Sequence, residues 1–192
     1  MVRSHVSRNS KIRKKDDAEI YWGDKTGIRN DCQHNRGYAP RGKTPVIEIN
    51  AKRFSLNMIS AINNQGLLRF MTYKGNLTAR VLIKFMKRLI KDAEKTVFLI
   101  LDNLRVHHAK LVKAWLERHE DEIEVFYLPS YSPELNPYEY LNCDLKNGIC
   151  SSSPSRNLEE LKGKVRGHTR MLQKTPGRVR DYFKHPAIQY AA

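Results

Sequence analysis

Three carboxylates in the sequence have the residue types and the setting of a site for divalent metal ions. Asp24 and Asp102 each follow a short apolar run, and Glu139 stands two residues after Pro137. Converging carboxylates repel one another, so a site built from them requires cations, and their hard oxygen atoms favour Mg²⁺ or Mn²⁺. Two such ions can activate an attacking oxygen and stabilise a leaving oxygen in phosphate chemistry.

Each of these carboxylates also has a purely structural interpretation. Asp102 and Asn103 are residue types that form turns and cap helices. Glu139 lies three residues after Asn136, which is the spacing of a capping box, and a glutamate in a first turn also favours the helix dipole. The residues alone leave both interpretations open.

The three carboxylates can meet only if the first strand lies beside the central strand. The central strand is predicted over Val97–Leu101, because this run is bulky, β-branched and typical of a strand buried on both faces. The first strand is predicted over Ala18–Asp24, ending at Gly23-Asp24, with a loop over residues 25–45. Glu139 is expected to reach the same sheet edge from the start of a helix. The predicted fold class is α/β, with a mixed central sheet and helices on both faces.

Hydrophobic periodicity and turn residues predict the other elements. They are a short extended piece over Val46–Ile49, a hairpin over Arg53–Ile62 and Leu67–Tyr73, a helix from Leu77 to about Leu89, a helix over Ala109–His119, a strand over Ile123–Leu128, a helix that Asn136 caps and Pro137 opens, and a last helix over Asn157–Gln173.

Positive charge is concentrated on the two flanks of the chain. The formal net charge is +15, of which residues 1–15 and 151–192 together carry +12. Basic flanks suit binding to a phosphate backbone, because each neutralised phosphate releases counterions. The predicted DNA contacts in the first loop are Arg36, Arg41 and Lys43. A second set, Lys162, Arg166 and Arg170, is spaced four residues apart on the last helix. The alternative for both sets is a solvated surface.

Composition argues against several other classes of protein. There is no run of 18 apolar residues, so a membrane partner is not expected, and the amino terminus lacks the apolar core of a secretory signal. The three cysteines form no CxxC pair, which argues against a structural zinc and predicts free thiols in a reducing cytoplasm.

Three motifs carry a resemblance to a known family. The segments WGD, LDNLRVHHAK and LPSYSPELNPYEYLNCDLK resemble transposases of bacterial insertion sequences in the mariner-related DDE group. The resemblance covers roughly residues 18–185, and its most specific part is the block 127–146. It implies a ribonuclease-H-like fold in which Asp24, Asp102 and Glu139 are the catalytic, metal-binding triad. The 36 residues between Asp102 and Glu139 are close to the spacing of that group.

The resemblance also implies a reaction and its partners. The reaction is metal-dependent DNA strand cleavage at insertion-sequence ends, followed by strand transfer to a target that is usually a TA dinucleotide. It implies two Mg²⁺ ions per site, for which Mn²⁺ can substitute, and double-stranded DNA as the partner. His108 and Lys110, which follow the second aspartate, are also predicted DNA contacts, with a role at the helix start as the alternative for His108, since imidazole matches a Mg²⁺ site poorly. We expect a cytoplasmic bacterial protein associated with the nucleoid, with a homodimer as one option.

The sequence departs from the family pattern at three places. Lys25 stands where the family often has an acidic residue. A cation there could weaken metal binding or contact a phosphate, or it could point to the other face if the strand continues. Tyr138 stands where Asp or Ile is common, and we expect little effect. Only 17 residues precede the first strand, whereas relatives carry helix-turn-helix domains there, so we expect a catalytic half of a transposase.

The predicted organisation is a basic arm over 1–17, a catalytic core over 18–150, and a basic helix and tail over 151–192 packed on the core. Two other functions remain open. One is a structure-selective DNA nuclease of the same fold, and the other is a non-catalytic DNA-binding remnant of a transposase.

Overall fold

A five-stranded mixed sheet forms the centre of the molecule. The computed structural model describes residues 18–31, 39–44, 46, 52–129, 136–186 and 188. The strands are β1 (Ala18–Arg29), β2 (Ser55–Ile62), β3 (Leu68–Tyr73), β4 (Thr96–Leu101) and β5 (Ile123–Tyr127), in the spatial order β3-β2-β1-β4-β5. The pairs β1–β2 and β2–β3 are antiparallel, whereas β1–β4 and β4–β5 are parallel. The first strand therefore lies beside the central strand, as predicted.

The first strand is longer than the sequence predicted. It was expected to end at Gly23-Asp24, but it continues to Arg29, so the expected loop over residues 25–45 begins later. The physical reason is its second neighbour. Only residues Ala18 to Trp22 of β1 pair with β4, whereas Trp22 to Arg29 pair with β2. The hairpin thus continues the backbone hydrogen bonds of β1 past the end of the central strand.

Helices cover both faces of the sheet, as predicted. On one face lie α1 (Ala79–Lys91) and α2 (Lys110–Glu117), and on the other lie α3 (Tyr138–Cys150), α4 (Leu158–Lys174) and α5 (Pro176–Asp181). Two short 3₁₀ helices, Arg105–His108 and Tyr182–Lys184, precede α2 and follow α5. Successive side chains of β1 point to opposite faces of the sheet and so contribute to both hydrophobic cores. Tyr21 packs with α1, and Trp22 packs with α3 and α5.

One largely buried carboxylate ties the three helices of the second face together. Asp144 on α3 accepts hydrogen bonds from Arg178 Nε and Nη2 at 2.6 and 2.8 Å, and from Tyr182 Oη at 2.5 Å. His168 Nε2 on α4 lies 2.9 Å from the same carboxylate. Gly148 lets α3 approach α4, since a Cβ atom there would clash with the His168 ring.

The described residues test two sequence predictions, the extended piece and the free thiols, only in part. Residues 47–49 of the expected extended piece lie outside the described residues. Cys143 is free and exposed, but Cys150 is disulfide-bonded, so the prediction of free thiols is wrong for that residue. Across the described residues, no helix combines the length and the apolar character that crossing a membrane requires.

Candidate active site

The strand register brings Asp24 and Asp102 side by side. Trp22 pairs with Ile100 across the parallel β1–β4 ladder, and each aspartate lies two residues further along its strand direction. Residues two apart point to the same face of a sheet, so both side chains continue on one face at the carboxyl end of β4. The sequence placed Asp24 at a strand end, whereas it lies within β1, paired with Ser60 of β2.

The charges of Asp102 and Glu139 both act on Asp24. Burial raises the pKa of Asp24 most, and the charge of Asp102 and then that of Glu139 raise it further, to about 7. The Lys25 N–H donates to Asp24 Oδ1 at 2.6 Å and opposes this shift. Burial also raises the pKa of Asp102. The site is therefore short of positive charge and favours a cation.

Lys25 is exposed on a strand that continues, so its side chain alternates to the face opposite Asp24. Its charge nevertheless lowers the pKa of both Asp24 and Asp102. The ammonium group of Lys25 therefore still affects the electrostatics of the site from the opposite face of β1.

Asp102 is held in place by a buried histidine. His107 is 2% exposed, and its Nδ1 lies 2.8 Å from the Asp102 carbonyl oxygen and 3.5 Å from Asp102 Oδ1. A carbonyl oxygen only accepts, so Nδ1 carries the hydrogen, and burial lowers the pKa of this imidazole. Asp102 Oδ1 is itself buried and has no hydrogen-bond partner among the described residues. A buried carboxylate oxygen without a donor suits a metal ion.

Glu139 begins α3 and is held from the next turn of that helix. Asn142 Nδ2 donates to Glu139 Oε2 at 3.2 Å. The cap belongs to another side chain, because Asn136 Oδ1 accepts from the Tyr138 N–H at 3.1 Å. The helix starts at Tyr138, one residue later than predicted, with Pro137 just before it. Glu139 therefore accepts from Asn142 and makes no capping hydrogen bond among the described residues.

Tyr138, which we expected to matter little, is fully buried and connects α3 to the sheet. Its hydroxyl lies 2.8 Å from Ser60 Oγ and 2.9 Å from Thr26 Oγ1. Thr26 Oγ1 donates in turn to Asn142 Oδ1 at 3.3 Å. A chain of hydrogen bonds thus runs from two strands to the side chain that holds Glu139. Sequence reasoning missed this chain, because no motif marks hydroxyls that meet across 78 or 112 residues.

The chemistry of the donor set fits a divalent metal ion. Three carboxylates and no thiolate make a hard set of the kind that Mg²⁺ and Mn²⁺ prefer. In the part of the chain that the structure describes, no three His, Cys, Asp or Glu side chains stand close enough to hold one ion jointly. Repulsion between the carboxylates favours larger distances between them, and a cation bound between them would oppose this repulsion.

The predicted DNA contacts are distributed over several surfaces. Arg41, Lys43, His108 and Lys110 are exposed, and Arg36 lies outside the described residues. His108 Nε2 lies 2.5 Å from Asn103 Oδ1, directly after the aspartate of the central strand. The predicted ridge on α4 divides, because Lys162 forms an ion pair with Glu159 at 3.3 Å while Arg166 and Arg170 line a separate cleft.

Sequence comparison places this chain in a family. The profile described as DDE superfamily endonuclease matches residues 19–162. The chain belongs to the DDE superfamily endonucleases. An insertion element IS630 uncharacterized 39 kDa protein from Shigella sonnei is 31% identical over 96 residues, which cover 50% of this chain and 27% of that protein.

Solved structures of low sequence identity share the fold of this DDE endonuclease. The Mos1 mariner paired end complex with Mn superposes with a TM-score of 0.62 at 18% identity, covering 98% of this chain and 58% of Mos1. The catalytic domain of Mos1 mariner transposase gives a TM-score of 0.56 at 16% identity, covering 98% of this chain and 87% of that domain. The predicted ribonuclease-H-like fold is confirmed. The chain spans about a quarter of the Shigella protein and little more than half of Mos1.

Proposed function

We propose that this DDE endonuclease cuts DNA strands at insertion-sequence ends and transfers the freed ends to target DNA. The observation that carries the proposal is the in-register placement of Asp24 and Asp102 with Glu139 close enough to raise the pKa of Asp24. In this reaction water attacks a phosphodiester and releases a 3′-hydroxyl, which then attacks a phosphodiester of the target and displaces its 3′ oxygen.

Asp24, Asp102 and Glu139 would hold divalent ions, Mg²⁺ or Mn²⁺. When bound, two such ions would supply activation of the attacking oxygen and stabilisation of the leaving oxygen. The unpartnered Oδ1 of Asp102 and the raised pKa of Asp24 support this assignment. The solved Mos1 complex with Mn supports it by analogy of fold.

Two side chains of the protein orient these ligands. The Nδ1–H of His107 fixes the backbone of Asp102 and leaves Oδ1 free, and Asn142 fixes one oxygen of Glu139. Such supporting contacts commonly change metal affinity or activity by about 10–100-fold. His107 and Asn142 are thus positioning residues of this site.

The partner in this proposal is double-stranded DNA, both the insertion-sequence end and a target at TA. Arg41, Lys43, His108 and Lys110 would contact its phosphates, and exposure supports their availability. Arg36, outside the described residues, stays a prediction. The proposal also includes a homodimer, two ions per site and a cytoplasmic location near the nucleoid. It further includes a catalytic core over residues 18–150 and a basic helix and tail over residues 151–192.

A plasmid-nicking assay with the Asp102→Asn variant tests the proposal. The change keeps the shape of the side chain and removes one ligand charge. We expect nicking in Mg²⁺ or Mn²⁺ to fall at least about a hundredfold, because a ligand matters more than its supporting contacts. DNA affinity should stay equal or rise, since a repelling charge is lost. Asp181→Asn, which alters a 63% exposed carboxylate on α5, is the matched control and should nick normally. Normal nicking by Asp102→Asn in a nuclease-free preparation would rule the proposal out.

A non-catalytic DNA-binding protein is the second candidate. It is favoured by the absence, among the described residues, of three side chains positioned to hold a single ion. Titration with Mn²⁺ separates the two functions. The enzyme binds Mn²⁺ through Asp24 and Asp102 and nicks DNA, whereas the remnant binds DNA but shows neither property.

A further inference from the structure

A basic cleft lies along the outer edge of the sheet, away from the triad. It encloses about 550 Å³ beside β3, and its walls come from helices on opposite faces of the sheet. The cations of the cleft are Lys84 and Arg88 from α1, and Arg166 and Arg170 from α4. The sequence separates these pairs by almost eighty residues, and the order of the strands brings them together.

The four cations of this cleft lack acidic partners among the described residues. No ion pair there involves Lys84, Arg88, Arg166 or Arg170, and no aspartate or glutamate lines the cleft. Their neighbours on α4 behave differently, since Lys162 and Lys164 pair with Glu159 and Glu160. Four like charges around one cleft repel one another, and an anion bound between them would remove that repulsion.

The chemistry of the cleft selects a nucleic-acid backbone among anions. Three of the four cations are arginines, whose planar guanidinium groups bind phosphate through two parallel hydrogen bonds. Each helix presents its two cations four residues apart, a rise of about 6 Å, so the ligand must carry repeated charges rather than one. The floor adds Thr72 and Tyr73 at an edge of β3 that pairs with no other described strand, and this edge offers further polar groups.

We propose that this cleft binds the phosphate backbone of DNA outside the segment held at the triad. The proposal rests on the proposed function only in taking DNA as the partner. Strand pairing gives the separation, because Asp24 pairs with Ser60 and Ser60 pairs with Phe70 at the cleft. Two strand spacings amount to about 10 Å between backbones, so DNA in the cleft leaves the triad free for the bond that is cut.

Fluorescence anisotropy with a labelled random-sequence duplex tests the cleft. All measurements use the 192-residue chain carrying Asp102→Asn and no divalent metal, so that cleavage does not interfere. One test pair is Lys84→Ala with Arg88→Ala, and the other is Arg166→Ala with Arg170→Ala. The matched control is Lys87→Ala with Lys91→Ala, which removes the same charge from exposed positions of α1 that do not line the cleft.

We expect each cleft pair to weaken binding about tenfold at moderate salt and to lower the slope of log affinity against log salt by nearly 2. The slope changes by about 0.9 for each phosphate contact that is lost. The control pair should change affinity less than about twofold and leave the slope unaltered. Replacing Arg166 and Arg170 by lysine keeps the charge and the fold, and should cost a few fold because two parallel hydrogen bonds become one contact.

Equal losses in the control and cleft pairs would overturn the proposal, because general charge would then explain the binding. It would also be overturned if the cleft variants kept their DNA affinity but lost binding to polyglutamate, which would indicate an acidic protein partner. Unchanged thermal unfolding of each variant confirms that an effect is local. The outcome is separate from the proposed function, because a chain that fails to nick DNA can still pass this test, and a chain that nicks normally can fail it.

Discussion

Under the proposed function, single residues at the site divide into metal ligands and the side chains that hold them. Asp24 and Asp102 repel each other on neighbouring strands, and Glu139 approaches them from the start of α3. Around them, His107 and Asn142 use neutral hydrogen bonds that add no charge. The negative charge of the carboxylates therefore remains available to a cation. His107 and Asn142 only fix the orientation of the carboxylates.

Glu139→Gln separates a ligand from a cap. Glutamine keeps the shape of the side chain and can still accept from Asn142, so Tm should move by no more than about 2 °C. Metal-dependent nicking should nevertheless be lost, because the negative charge is gone. Differential scanning calorimetry and a nicking assay on the same preparation check both expectations. A variant that melts several degrees lower and still cuts would make Glu139 a cap.

Tyr138→Phe tests the chain of hydrogen bonds behind Glu139. Removing the buried hydroxyl leaves Ser60 and Thr26 without a shared partner and should cost about 1–3 kcal/mol of unfolding free energy. We also expect kcat for nicking to fall about tenfold with little change in KM, because Asn142 loses its support. Tyr140→Phe, on the same helix, is the control and should change neither quantity. A Tyr138 variant that is less stable but nicks at the normal rate would reduce this chain to a structural role.

At the scale of elements, helices α3, α4 and α5 act as one unit because Asp144 joins them. Its carboxylate is largely buried, which alone would raise its pKa. The hydrogen bonds from Arg178, Tyr182 and His168 outweigh burial and hold the pKa of Asp144 below its ordinary value. A lowered pKa in the folded state means that these contacts stabilise the fold once Asp144 is ionised.

Asp144→Asn should therefore destabilise the protein in a pH-dependent way. At pH 7 we expect a loss of about 1–3 kcal/mol, at the low end of buried ion pairs because Arg178 is 52% exposed and solvent screens it. The contribution is fully present above the ordinary carboxyl pKa and is lost as pH falls through the lowered value. Urea unfolding of both proteins at neutral and acidic pH measures this. A difference in stability that stays constant across that range would contradict the assignment.

The sequence could predict those elements whose formation depends on local patterns of residues. Apolar periodicity and turn residues are local, so the hairpin, the central strand and α4 were predicted within a few residues. The end of β1 was not, because its continuation past Asp24 depends on pairing with β2. The basic cleft was missed for the same reason, since α1 and α4 meet only through the order of the strands.

The candidate site shows the same limit more sharply. The three carboxylates could be chosen from the flanking strands and the family motifs. The roles of Tyr138 and His107 could not, because each depends on atoms that only folding brings together.

At the scale of the whole molecule, charge rather than sequence readout should govern DNA binding. The net charge is +15, and lysine and arginine contacts to phosphates carry no base information. The described residues place this charge on several surfaces, from the loop with Arg41 to the basic cleft.

A filter-binding titration at several salt concentrations checks this expectation. If about six phosphates are neutralised, affinity should fall roughly a thousandfold between about 50 and 200 mM salt. Insertion-sequence ends and random duplexes should bind within a few fold of each other. A preference for one end sequence that survives high salt would show that this chain reads bases itself.

Among the described residues, one face of the sheet is covered only by helices from the last third of the chain, and this has a consequence during protein synthesis. The helices that begin at Tyr138 bury Trp22, Ile28 and Met58. These helices are not yet synthesised when the three side chains leave the ribosome, so the side chains are exposed to solvent at that stage. At an elongation rate of about 5–20 residues per second, this apolar face stays bare for several seconds. The newborn amino-terminal half is therefore a natural client for chaperones, and translation that stalls before α3 leaves a fragment prone to aggregate.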